Sequence, residues 1–168
     1  MFRKIGLSIR FKKAAKNASG QANVLSYKDA QNFGILVKDY SKNKDAVRRL
    51  VEGLKDEGKT VQVLNYESGD IPPVSENILS FSLKDIDWKG KIKSEECNKF
   101  LNSKFDFLFS LHTSSILPLE KIIATANAKC KVGHFLSNRQ ELFDIMINNT
   151  GEDIKRSSQE MLKFTKLI

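Results

Sequence analysis

Beyond residue 31 the apolar positions of this chain fall into two periods that take turns. Asn32-Phe-Gly-Ile-Leu-Val37 is a short apolar run suited to a buried strand. It is followed by Asp45–Glu57, where Val47, Leu50, Val51 and Leu54 recur at helical spacing and Gly58 marks the stop. Thr60-Val-Gln-Val-Leu64 alternates again as a second strand, so the three segments read as one βαβ unit. Glu67–Asn77, with Gly69 and the Pro72-Pro73 pair, reads as a loop, and Leu79–Leu83 as a short strand at a sheet edge.

The same alternation continues to the end of the chain. Ser94 caps a brief helix through Leu101, with Glu95 and Glu96 in its first turn, where they favour the helix dipole. Phe105–Leu111 is the strongest strand, leading through His112-Thr-Ser-Ser115 into a helix over Ile116–Ala126 that tolerates Pro118 in its first turn. Lys131–Phe135 and Phe143–Ile147 are two further short strands, and Glu152–Leu167 is the last helix. Strands that alternate with helices predict a single three-layer, Rossmann-like α/β domain over residues 32–168, with a mostly parallel sheet of about six strands in the order 3-2-1-4-5-6. Residues 1–18 read as a basic helical arm and 19–31, rich in Ser, Gly, Asn and Gln, as a linker.

Composition agrees with one folded domain. The chain has 168 residues, 40% of them hydrophobic, with 3 Pro and 9 Gly, which excludes disordered and collagen-like classes. Cys97 and Cys130 have no CxxC spacing and read as buried free thiols of a reducing, cytoplasmic compartment. Charge changes the picture more. Of the net +8, +6 lies in residues 1–30, where Arg3, Lys4, Arg10, Lys12, Lys13, Lys16 and Lys28 face Asp29 alone. A near-neutral body with a basic arm points to a polyanionic partner, with RNA, an anionic membrane surface or a merely solvated helix as the three readings.

The arm is too often broken by basic residues to be a secretory signal, and no later window is apolar enough to span a bilayer. On a helix, Phe2, Ile5 and Ile9 form one stripe and Leu7, Phe11, Ala14 and Ala18 another on the opposite side. Lysines and arginines flank both stripes, which weakens the membrane reading and suits a groove walled by phosphates.

Ligands of open α/β sheets bind beyond the carboxyl ends of the strands at the switch point, here the turns after Val37 and Leu111. Lys38–Asn43 contains no glycine, which argues against a classical NAD, FAD or ATP site, so no cofactor is expected. His112, Thr113, Ser114 and Ser115 place hydroxyls at a helix N-terminus, either an anion site or a simple cap. Asp39 is the only carboxylate placed to act as a base there, without a visible partner, and His134 reads as a rim residue. No catalytic constellation, metal-ligand spacing or sequence-specific DNA motif is present. Trp88 stands among Lys84, Lys89, Lys91 and Lys93, and reads either as a stacking platform for a base or as a cover on the core.

Two resemblances follow from these motifs. The basic arm, the FGILV strand, the S-x-x-D-I-D-W-x-G segment over Ser82–Gly90, the Phe105-Asp-Phe strand, Lys131-Val-Gly133 and Asp144-Ile-Met-Ile-Asn148 together resemble a family of uncharacterised short proteins of Bacteroidota. That resemblance covers nearly the whole chain and implies no activity. The passage from Phe105 through Ala128-Lys-Cys-Lys-Val-Gly-His-Phe135 is also similar, over about thirty residues, to the N-terminal half of heptosyltransferase-like GT-B glycosyltransferases. The nucleotide-sugar half would need a second domain and the opening glycine loop is missing, so this likeness implies shared architecture rather than shared catalysis. The expected function is a non-enzymatic RNA-binding protein, ribosome-associated, whose partners are ribosomal RNA and ribosomal proteins. A small-molecule or nucleotide-sugar binder is the second reading and a membrane-peripheral protein the third.

Overall fold

The computed structural model describes residues 25–72, 77–148 and 153–168. Its element order is β1 (Asn32–Lys38), α1 (Tyr40–Asp56), β2 (Thr60–Glu67), β3 (Leu79–Ser82), α2 (Glu95–Asn102), β4 (Lys104–Ser110), α3 (Leu117–Thr125), β5 (Asn127–His134), β6 (Ile145–Ile147) and α4 (Ile154–Thr165). The six strands form one sheet in the order β3-β2-β1-β4-β5-β6, and every pairing is parallel. The expected Rossmann-like, three-layer α/β arrangement is therefore present. The helical arm expected over residues 1–18 lies outside the described residues.

Both faces of the sheet are covered, which is why β1 and β4 read as continuous apolar runs rather than as alternation. Val47, Leu50 and Leu54 of α1 and Met161 of α4 pack on one face against Phe33, Ile35, Val37, Phe107 and Phe109. Cys97 and Phe100 of α2 and Leu119, Ile122 and Ile123 of α3 pack on the other against Leu36, Leu64, Phe105 and Leu108. Gly34 lies where β1 passes under that second layer. A Cβ there would stand 2.9 Å from Leu108 Cδ1 and 3.1 Å from Phe100 Cζ.

One carboxylate ties the amino-terminal ends of three strands. Asp106 Oδ2 accepts from the N–H groups of Gln31 and Asn32 at 2.8 and 3.0 Å, while Lys129 Nζ donates to Oδ1 at 2.7 Å. Upstream, the buried Lys59 donates to the carbonyls of Tyr27, Lys28 and Ala30, and Tyr27 and Ala30 are themselves buried. The packed body thus reaches back into the stretch read as linker, because an ammonium from the α1–β2 turn satisfies its carbonyls.

Two elements begin earlier than their sequence patterns. Helix α1 starts at Tyr40 rather than Asp45 because its first N–H is taken by Asn65 Oδ1 of β2 at 2.9 Å, a cap from 25 residues away. Strand β5 starts at Asn127 rather than Lys131. Lys129 breaks the apolar pattern there, yet its stem lies along the strand and its ammonium reaches Asp106.

Candidate functional site

The switch point lies between β1 and β4, whose neighbours run in opposite directions from it. Strand β1 ends on Asp39, a non-glycine residue in the left-handed region at φ 49° and ψ 62°. Such a conformation persists only where neighbours hold it. The Asp39 N–H donates to the Tyr66 carbonyl at 2.9 Å, and Asp39 Oδ1 accepts from Ser68 N at 3.0 Å and Ser68 Oγ at 2.6 Å. Next to it Asn65 accepts from Tyr40 N and donates to Glu67 Oε2 at 3.0 Å. Burial would raise the Asp39 carboxyl, but the two Ser68 hydrogen bonds and the Lys42 ammonium outweigh it and hold it below the ordinary value. A carboxylate so held is a clasp between the β1 and β2 loops and a poor proton acceptor at neutral pH.

The turn after β4 is equally engaged. Ser110 Oγ bonds His112 Nδ1, both side chains being buried. Ser115 Oγ donates to Glu120 Oε1, and Arg139 Nε donates to Glu120 Oε2 at 2.7 Å. The turn therefore brings His112, Ser115 and Glu120 together, while Thr113 is half-buried and Ser114 points to solvent. Helix α3 has no side-chain cap at Ile116, and Pro118 removes one N–H from its first turn. The negative charge that a helix N-terminus favours is supplied there by the chain's own Glu120.

Two imidazoles stand out. His112 is 4% exposed and His134 3%, and His112 Nε2 and both ring nitrogens of His134 lack hydrogen-bond partners among the described residues. Burial, with a smaller push from His134, pulls His112 down to about 4 against the opposing charge of Glu120. Burial likewise lowers His134, opposed by Glu160. His134 is thus a neutral interior residue of β5 and not the rim residue its position after Val132-Gly133 implied.

The second candidate region is the loop after β3. Asp87 Oδ1 accepts from Lys89 N at 2.9 Å and Lys91 N at 2.8 Å, the Asp87 N–H donates to the Lys91 carbonyl, and Gly90 takes φ 76° to close the turn. Ile86 and Ile92 bridge antiparallel at its base, and Ile92 is buried as its anchor. Trp88 sits at the tip and is 89% exposed, with Lys89 Nζ 4.9 Å from its ring centroid. It covers no core, which excludes the core-cover reading. Lys91 and Lys93 stand on the returning limb. Asp87, in contrast, is spent on the turn: its carboxyl is held low first by the Lys91 N–H. Arg3, Lys4, Arg10, Lys12, Lys13 and Lys16 lie outside the described residues.

Sequence reasoning missed Asn65, Ser68, Glu120 and Arg139. Each acts on a residue distant in the chain, and nothing in local spacing signals it. Both cysteines are free, Cys97 buried and Cys130 half-buried, and burial pushes each thiol up to about 12. No described helix is long and apolar enough to cross a membrane, and no group of three metal-ligating side chains converges among the described residues.

A fully parallel six-stranded sheet with a polar, internally bonded switch point defines a Rossmann-like α/β protein without a glycine phosphate loop. Within that class the chain belongs to a family of unknown function (DUF6913), whose model matches residues 3–168. Neither the curated proteins nor the solved structures contain a match to it.

Proposed function

We propose that this protein is a non-enzymatic RNA-binding protein, associated with the ribosome through ribosomal RNA and neighbouring ribosomal proteins. The observation that carries the reading is the Trp88 loop: an indole held out at 89% exposure by a turn whose hydrogen bonds are all internal, with Lys89, Lys91 and Lys93 beside it. An exposed aromatic on a rigid support loses little entropy when a base stacks on it, and adjacent ammonium groups pair with the phosphates. The sequence adds a second source of affinity, the basic residues Arg3, Lys4, Arg10, Lys12, Lys13 and Lys16. RNA shape rather than base sequence would set its preference, since no base-reading module is present.

A nucleotide-sugar binder derived from a GT-B half is the weaker reading. In the first turn the Tyr40 N–H and the Asp39 carboxylate are engaged through Asn65 and Ser68, and in the second the Ser115 hydroxyl and the Glu120 carboxylate bond each other and Arg139. The deciding experiment is sedimentation of the full chain with ribosomes at low and high salt. Co-sedimentation at low salt that is lost at high salt is expected, and absence from the ribosomal fraction at low salt would refute the reading.

A further inference from the structure

The turn that carries Trp88 meets helix α3. A Cβ built on Gly90 would stand 3.4 Å from Lys121 Nζ, and among the described residues no other atom beyond its chain neighbours lies within 4 Å of that point. Lys121, exposed on α3, therefore stands beside the Trp88 turn although it is distant in the chain. Its ammonium has no ion pair or hydrogen bond among the described residues. The two carboxylates of the loop are bound to the loop's own N–H groups: Asp85 Oδ2 accepts from Ser82 N at 2.8 Å, and Asp87 Oδ1 closes the turn through Lys89 N and Lys91 N.

The indole has two faces with different surroundings. Lys89 Nζ lies over the ring, 4.9 Å from its centroid, and so occupies one face. At 89% exposure the other face is open, which makes room for one base rather than for a base on each side. A base inside a duplex has both of its own faces covered by its neighbours, so only an unpaired base can lie on the indole. Trp88 and Gly90 are two residues apart, at most about 7 Å of chain, which is within the reach of a nucleotide from its base to its phosphates. We propose that Lys121 completes the Trp88 site and that this site takes one unpaired nucleotide of single-stranded RNA, its base on the open face of the indole and a neighbouring phosphate on the Lys121 ammonium. The inference rests on the RNA-binding reading and narrows it: loops, bulges and ends engage the indole, whereas a duplex is held through its phosphates alone.

Trp88 is the only tryptophan of the chain, so its fluorescence reports on this site alone. The full chain is titrated with an RNA strand of adenosine and cytidine only, which cannot pair with itself, and with the same strand annealed to its complement, each across a salt series. The single strand is expected to quench the indole, and the duplex to bind without quenching it. Lys121→Gln should weaken single-strand binding severalfold and make the slope of log K on log[salt] shallower by about 0.7, with quenching at saturation and duplex binding unchanged. Lys55→Gln, at an exposed position of α1 across the sheet, should change none of these quantities. Equal quenching by the duplex, no quenching by the single strand, or a loss in Lys121→Gln no greater than in Lys55→Gln would overturn the site while leaving RNA binding in place. If neither RNA bound, the RNA-binding reading would fall and this site with it.

Discussion

The ring of Phe143 occupies the space that a side chain at position 133 would need: a Cβ built on Gly133 would lie 2.2 Å from Phe143 Cε1 and 2.4 Å from Cζ. Phe143 is buried in the layer shared with α2 and α3, so its ring closes that layer over β5. Gly133→Ala should therefore destabilise the fold by about 1–3 kcal/mol, the cost of overpacking a well-filled core. Chemical denaturation measures it. Combining Gly133→Ala with Phe143→Leu should recover part of the loss, and strictly additive losses would show that the two residues do not compete for space.

Asp106 gives a prediction with a pH sign. Burial would raise its carboxyl, but Lys129 and the N–H groups of Asn32 and Gln31 outweigh burial and hold it below the ordinary value. A carboxyl depressed on folding adds stability above its unfolded value near about 3.9, and that stability is lost as pH falls through the folded value. Asp106→Asn should cost about 1–3 kcal/mol at pH 7, since it turns an amide nitrogen toward Lys129 and removes the charge that bonds two backbone N–H groups. The gap between variant and wild type should narrow in thermal melts as pH falls below the unfolded value of about 3.9 toward the lower folded one.

Much of this architecture could be read along the chain, and the reason is visible in β1, β4 and α1. Phe33–Val37 and Phe107–Phe109 are buried on both faces, so their apolar runs are unbroken, and Val47, Leu50 and Leu54 mark one stripe of a helix. What escaped were features made by distant partners. The Asn65 cap moves the start of α1 to Tyr40, and the Asp106 ion pair lets Lys129 sit in a strand. His134 was misplaced because an imidazole after a strand glycine gives no sign of its burial, whereas the structure encloses it beside α4. Trp88 was open to two readings because a tryptophan among lysines is as compatible with a core edge as with a tip. Only the Asp87 turn decides it.

His112 should make the fold sensitive to mild acid. Its folded value of about 4 lies below the unfolded one of 6.5, so the unfolded chain binds the extra proton between them. The stability of the neutral, buried form is complete above pH 6.5 and is lost as pH falls from there toward about 4. The full shift corresponds to about 3 kcal/mol. His112→Gln keeps an acceptor for Ser110 but cannot titrate, so it should flatten the fall in unfolding free energy between pH 6.5 and 4. Burial lowers His134 in the same direction, so the variant should keep a residual slope that His134→Gln removes. An unchanged profile in the double variant would show that the acid response arises elsewhere.

The RNA-binding reading separates two contributions that respond to different variables. Trp88 is 89% exposed, so Trp88→Ala should leave the unfolding free energy within about 0.5 kcal/mol of wild type. If a base stacks on the indole, the same change should weaken RNA binding by about 1–3 kcal/mol, roughly 5- to 150-fold. Because an indole carries no charge, the dependence of log K on log[salt] should keep its slope in that variant. The arm should behave in the opposite way. Its six cations at Arg3, Lys4, Arg10, Lys12, Lys13 and Lys16 predict a slope of about −4 to −5 when each neutralises one phosphate. Replacing Arg10 and Lys13 together with Gln should make that slope shallower by about 1.5 to 2. Fluorescence anisotropy with labelled ribosomal RNA fragments across a salt series reads both quantities at once. A slope that changes with Trp88→Ala, or an affinity unmoved by it, would remove the indole from the RNA interface and leave the arm to account for all of the binding.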